Sequence, residues 1–150
     1  MRILVQVVKN AKVDVDGKTV GKIDKGELIF VGFKPGDSTK IIDKMIQKLL
    51  KLRIFFDGEK TNASLDQVNG KILSVSQFTL YANLKEGNRP SFSSCMNKDD
   101  AGKLYEYFQN ELLKFRPDTD FGIFHADMEV SLLNDGPFTI LLDSEELGYE

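Results

Sequence analysis

β-Branched residues crowd the first 33 positions of this chain, in apolar runs at 2–8, 11–15, 19–23 and 27–33. Val and Ile are stiff at χ1 and fit a pleated surface better than a helix, so the chain must begin as sheet. Asp16-Gly17 supplies a tight turn between the second and third runs, and the pattern predicts an antiparallel meander. The period changes after Pro35-Gly36. Ser38 is placed to cap a helix in which Ile41, Ile42, Met45, Ile46, Leu49 and Leu50 recur at helical spacing, with Lys40, Asp43, Lys44 and Lys48 between them. Arg53 to Phe56 reads as a short strand, Asp57-Gly58 as a turn, and Ile72 to Leu80 as a longer strand ending at a polar loop.

A second helix is predicted over about 99–115, capped by Asn97 or Asp99, with Ala101, Leu104, Tyr105, Phe108, Leu112 and Phe115 facing inward. Two last strands, near 127–133 and 137–143, flank Asn134-Asp135-Gly136. No repeat, low-complexity stretch or linker divides residues 1–150, so the elements are expected to form one domain. The expected class is α/β of the α+β type: mainly antiparallel, barrel-like sheet layers with two packed helices.

Composition narrows the partners. Hydrophobic residues at 41% and charged residues at 29% suit a soluble chain with a real core. No apolar stretch approaches the roughly 20 residues of a membrane span, and Met1-Arg2-Ile3-Leu4-Val5-Gln6 is not a signal peptide, so the expectation is a cytoplasmic protein with no membrane partner. Cys95 and His125, the only residues of their types, are too few for a zinc cluster, and no structural metal is expected. A net charge of −3 argues against coating long nucleic acid, although a local basic patch can still hold a few phosphates.

The helical stripes are core, so chemistry must lie in the joints. Ser76-Gln77-Phe78-Thr79 sits where a buried strand meets a loop, bringing hydroxyls, an amide and backbone donors to a rim. The loop from Lys85 to Ser93 adds Lys85, Arg89 and Phe92, groups that can hold a phosphate and stack on a base. A Ser-His-Asp hydrolase would need His125 beside a serine; there is no Gly-x-Ser-x-Gly elbow, and His125 beside an apolar run reads as structural. Cys95 reads as an incidental thiol, and Glu145-Glu146 as solvated charge. Walker and Rossmann loops are absent. Gly136-Pro137 alone reads as a turn opening the last strand, a pair able to present bare backbone.

Three separated motifs carry a resemblance. Val75-Ser76-Gln77-Phe78-Thr79-Leu80, Gly87-Asn88-Arg89-Pro90-Ser91-Phe92 and Asn134-Asp135-Gly136-Pro137-Phe138-Thr139 resemble, in order and spacing, the motifs of the D-aminoacyl-tRNA deacylases, and the likeness extends to the opening six residues and Leu52-Arg53-Ile54-Phe55. The resemblance implies a deacylase-like fold, a homodimer, no cofactor, and hydrolysis of the ester between a D-amino acid, or mischarged glycine, and the 3′-terminal adenosine of tRNA. It implies that Ser76, Gln77, Phe78 and Thr79 form the pocket for the adenosine and ester, with the Phe78 N–H stabilising the oxyanion and Lys85 and Arg89 as candidate tRNA contacts. It also implies a cis Gly136-Pro137 bond, inserted into the partner's pocket, whose carbonyls exclude an L side chain. Thr79 has been considered a nucleophile in this family; a route assisted by the tRNA 2′-hydroxyl better suits a site without an evident base. The alternatives are an editing hydrolase of altered chirality preference and a non-catalytic module that binds a D-amino acid or an RNA end. One departure stands out: members commonly carry Gln-Arg-Val in the first strand, where this chain has Gln6-Val7-Val8. Valine packs but cannot donate to the Gly-Pro motif as arginine would, and Phe138, where valine is common, is expected to fill part of that space.

Overall fold

The opening run of Val and Ile does not fold back on itself. In a computed structural model describing residues 1–150, Arg2–Val15 is one strand, β1, followed by β2 (Lys18–Ile23) and β3 (Gly26–Gly32). β2 and β3 lie end to end along one edge of β1, because residues 11–15 pair with β2 and residues 2–8 with β3, both antiparallel. The expected meander order is therefore corrected: Lys9-Asn10 is the point where β1 changes partner, not a turn. Asp16 and Gly17 do turn, with φ of 49° and 76°.

Helix α1 (Thr39–Leu50) starts at Ser38, whose hydroxyl accepts from the Ile41 N–H, and buries Ile41, Ile42, Met45, Ile46 and Leu49. The hairpin β4 (Arg53–Phe56) and β5 (Thr61–Ser64) forms a small separate sheet. β6 (Lys71–Ser76) then runs parallel to β3, since the chain has crossed over through α1. It stops at Ser76, and Phe78–Tyr81 forms a 3-10 turn where the sequence predicted more strand. Helix α2 (Lys98–Phe115) is capped by Asn97, which accepts from the Asp100 N–H. Its buried stripe ends at Leu112; Phe115, predicted inward, lies on the flank of the stripe and is 52% exposed.

A two-residue strand, β7 (Asp120–Phe121), pairs parallel with β6. Its Asp120 carboxylate accepts from the Lys22 N–H of β2 at 2.8 Å, so the sheet edges meet and the sheet is nearly closed into a barrel. The last strand, β8 (Glu129–Asp143), is one 15-residue strand rather than two, antiparallel to β1 along its length. Between the pairs Gln6–Thr139 and Val8–Asn134, two steps on β1 face five on β8. The three surplus residues make a wide bulge at Gly136-Pro137.

Two apolar clusters hold these layers. Ile3, Val5, Val7, Ile29, Val31 and Ile72 turn one sheet face to α1 and α2, while Val8, Val13, Leu28, Leu73 and Val75 fill the barrel. No helix is long and apolar enough to cross a membrane.

Candidate active site

Gly32 lets the site form. A Cβ there would lie 2.7 Å from the Gln77 carbonyl oxygen, so glycine permits the chain leaving β6 to press against the end of β3. The Gln77 N–H donates to the Val31 carbonyl at 2.7 Å, and Ser74, earlier on β6, bonds the buried Tyr105 hydroxyl of α2 at 2.8 Å. Ser76, Gln77 and Phe78 are thereby fixed on the wall of a cleft of about 520 Å³, closed on its other sides by the start of α2 and by Phe124 to Met128.

Phe78 opens the 3-10 turn, and the first N–H groups of a helical turn have no partner within it. The Phe78 carbonyl accepts from the Cys95 thiol at 3.4 Å, and its ring meets Phe92 edge to face at 5.2 Å. Burial raises the Cys95 thiol above its ordinary pKa, so at neutral pH it is a hydrogen-bond donor. Thr79 stands outside the cleft lining, its hydroxyl accepting from the Gln77 side-chain amide. Nothing basic is bonded to that hydroxyl.

Arg2 braces the turn from below. Its guanidinium donates to the Leu80 carbonyl at 2.8 Å and to Asp143 at 2.8 Å, and it lies 4.6 Å from the centre of the Tyr81 ring. Burial works to raise the Asp143 carboxyl, but bonds from Arg2 and the Glu145 N–H outweigh it and hold that carboxyl below its ordinary value. The ends of β1 and β8 are thus tied to the turn that carries Phe78.

Other expected residues are elsewhere. Lys85 and Arg89 are exposed on a loop pinched at its base by paired Asn83 and Ser91, whose backbones bond at 2.7 and 2.9 Å. Gly136 and Pro137, joined by a cis bond, lie on the β8 bulge and do not line the cleft of their own chain. Phe138 beside them packs on the same cluster as Val7. No group of three or more His, Cys, Asp and Glu side chains is placed to hold a metal ion.

His125 is where sequence reasoning missed a cleft residue. Read from the sequence as structural, it lines the cleft and has a left-handed φ of 64°. The chain turns at Ile123–Ala126, where the Ala126 N–H donates to the Ile123 carbonyl at 3.2 Å, and Ile123-Phe124-His125-Ala126 holds none of the residues that mark a turn in a sequence. Phe92, read from the sequence as a stacking group, lies at the cleft mouth.

Comparison with known proteins agrees with this architecture. The profile of the family described as D-Tyr-tRNA(Tyr) deacylase matches residues 4–143. A protein of Lactobacillus acidophilus named D-aminoacyl-tRNA deacylase is 56% identical over 144 residues, 95% of this chain and 99% of that protein. One of Lactobacillus helveticus with the same name is 52% identical over 95% of this chain and 99% of that protein. Among solved structures, one named c-Myc DNA Unwinding Element Binding Protein superposes with a TM-score of 0.90 at 37% identity, covering 95% of this chain and 98% of that one. A structure described as a probable eukaryotic D-amino acid tRNA deacylase shares the fold at a TM-score of 0.82 and 19% identity, over 94% and 97% of the two chains. The chain belongs to the D-Tyr-tRNA(Tyr) deacylase family, a family of hydrolases.

Proposed function

We propose that the cleft hydrolyses the ester joining a D-amino acid, or mischarged glycine, to the 3′-terminal adenosine of tRNA. The observation that carries the reading is the wall itself: Ser76, Gln77 and Phe78 offer a hydroxyl, an amide and main-chain donors beside Phe78 and Phe92 rings, with no base bonded to Thr79. Such a wall suits a nucleoside ester better than a charged metabolite, because the rings take the base while the polar groups meet the ester. Ser76 and Gln77 bind the adenosine and ester, and the Phe78 N–H faces the oxyanion that forms as water adds to the carbonyl carbon. The bond from that carbon to the ribose oxygen then breaks, and the oxygen leaves with a proton. The tRNA 2′-hydroxyl assists the attacking water, and Lys85 and Arg89 hold phosphate near the acceptor end. No cofactor takes part in this scheme.

Chirality is read by main chain from a second subunit. β8 pairs only with β1, so its outer edge is open, and Leu133 and Leu141 on it are 51% and 46% exposed. An open apolar edge of this length favours pairing with another copy. In the homodimer, Gly136 and Pro137 enter the partner's cleft, where rigid carbonyls face the substrate α-amino group and collide with an L side chain. The absence of a membrane-spanning helix is compatible with action on tRNA in the cytoplasm.

The decisive assay compares release of amino acid from matched D-tyrosyl-, L-tyrosyl- and glycyl-tRNA. Turnover of the D- and glycyl substrates with L-tyrosyl-tRNA spared is expected. Cleavage of the L-substrate at a similar rate would replace this reading by an editing hydrolase of other chirality, and binding without release by a module without catalysis.

A further inference from the structure

The outward face of α1 carries exposed cations that no acid pairs. Lys40, Lys44, Lys48 and Lys51 follow one another at spacings of four, four and three residues, which stacks them on one side of the helix. All four are exposed, and none is in an ion pair, although seven pairs form elsewhere. Asp43, the one acid on this helix, accepts from the Tyr107 hydroxyl at 2.9 Å. In contrast, α2 mixes Lys98, Lys103 and Lys114 with Asp99, Asp100, Glu106 and Glu111, and Lys114 pairs with Glu111. With 20 cations against 23 acids in the whole chain, the cationic face is a local feature and not a reflection of overall charge.

We propose that this face holds the sugar-phosphate backbone of the tRNA whose 3′ end occupies the cleft; the inference rests on the function proposed above. Lys44, Lys48 and Lys51 line an open groove of about 550 Å³ with Tyr149, and the Lys44 ammonium lies 5.7 Å from the centre of the Tyr149 ring. Lysine ammonium groups act as point charges toward phosphate and need no fixed fork geometry, which fits a backbone of varying sequence. Of the apolar positions of α1, Ile41, Ile42, Met45, Ile46 and Leu49 are buried and Leu50 packs half-buried on the same core, so the lysine face has nothing to insert into a bilayer. The groove is also close to the cleft. Tyr107, which touches α1 at Asp43, lies six residues along α2 from Ala101 of the cleft wall, about 9 Å at 1.5 Å per residue. An RNA whose end is bound in the cleft passes this face as it leaves.

The test uses Lys40→Gln/Lys44→Gln/Lys48→Gln, since glutamine keeps helix propensity while removing charge. On D-tyrosyl-tRNA, kcat/KM is expected to fall about 10- to 100-fold, and the slope of log kcat/KM against log salt to shrink by about two to three, at roughly 0.7–0.9 for each phosphate no longer neutralised. The D-tyrosyl ester of the trinucleotide CCA, which lacks the stem, should be cleaved as by the unaltered protein, and the triple Lys→Arg variant should retain full activity on tRNA. An unchanged salt slope, or an equal loss on both substrates, overturns the proposal. Fluorescence anisotropy with deacylated tRNA separates this inference from the reading it rests on. Weaker binding by the Gln variant, with no D-ester cleaved by any form, supports the phosphate face and overturns the deacylase chemistry; equal binding overturns the phosphate face.

Discussion

At the scale of single residues, Thr79 and Gly136 are where the proposed chemistry is most directly tested. The Thr79 hydroxyl is occupied as acceptor for the Gln77 amide and stands outside the cleft lining, so it lacks the base a nucleophile requires. Thr79→Ala is therefore expected to keep hydrolysis of D-tyrosyl-tRNA within about tenfold, whereas a substrate ending in 2′-deoxyadenosine should lose at least 100-fold, in line with the roughly 10²–10⁴ that positioned proton transfer contributes. Single-turnover rates check both; loss of nearly all activity in Thr79→Ala with tRNA binding intact would restore the covalent route. Gly136 is a backbone requirement. With φ of 135° and a Cβ position only 2.7 Å from the Phe138 backbone nitrogen, Gly136→Ala is strained from two directions. It should cost about 1–3 kcal/mol in urea unfolding and relax rejection of L-tyrosyl-tRNA. These residues were legible as motifs because their chemistry is local. His125 was not, because only the path of the chain after Gly122 brings it to the cleft.

At the scale of elements, periodicity and capping decided most of what forms. Ser38 and Asn97 cap α1 and α2 as their side chains predict, and the helical stripes are core up to Leu112. Strand limits were harder to read, because a strand ends where its partner ends. β6 stops at Ser76 when β3 runs out, and the 3-10 turn that follows is held by Arg2. Arg2→Ala would leave the Leu80 carbonyl without its donor and Asp143, 4% exposed, without its countercharge. An expected cost of about 1–3 kcal/mol follows, with kcat falling more than KM rises because the Phe78 turn loosens while the cleft wall persists. Arg2→Lys, which donates to one partner but not both in a fork, should recover part of kcat. Equal stability and unchanged kinetics in Arg2→Ala would remove the brace from the account.

At the scale of the whole molecule, one buried acid contributes a distinct response to pH. Glu27, 1% exposed, sits on β3 opposite Val7 with one carboxyl oxygen lacking a hydrogen-bond partner. Burial pushes its pKa up to about 8, against the opposing pull of Arg116. Unfolded, the group ionises near 4.5. Folding therefore takes up a proton between those values, and stability should be greatest below about pH 4.5 as far as this group is concerned, decline by up to about 1.4 kcal/mol per unit toward pH 8, and level off above it. Denaturant midpoints across that window should slope downward in the native protein and flatten in Glu27→Gln; an unchanged slope in the variant would assign the pH response to other groups. A β-rich start, two amphipathic helices, a polar Ser76–Thr79 joint and a backbone-presenting Gly136-Pro137 were determined by the sequence itself, since each depends on propensity, spacing or side-chain chemistry within a few residues. Tertiary structure alone decided that β2 and β3 share one edge of β1 while β8 takes the other, that the last two predicted strands are one, that Arg2 reaches the Leu80 carbonyl, and that Gly136-Pro137 lies outside its own cleft. Those outcomes depend on pairing between residues far apart in the chain, where strand register and the buried face, rather than local preference, choose the partner.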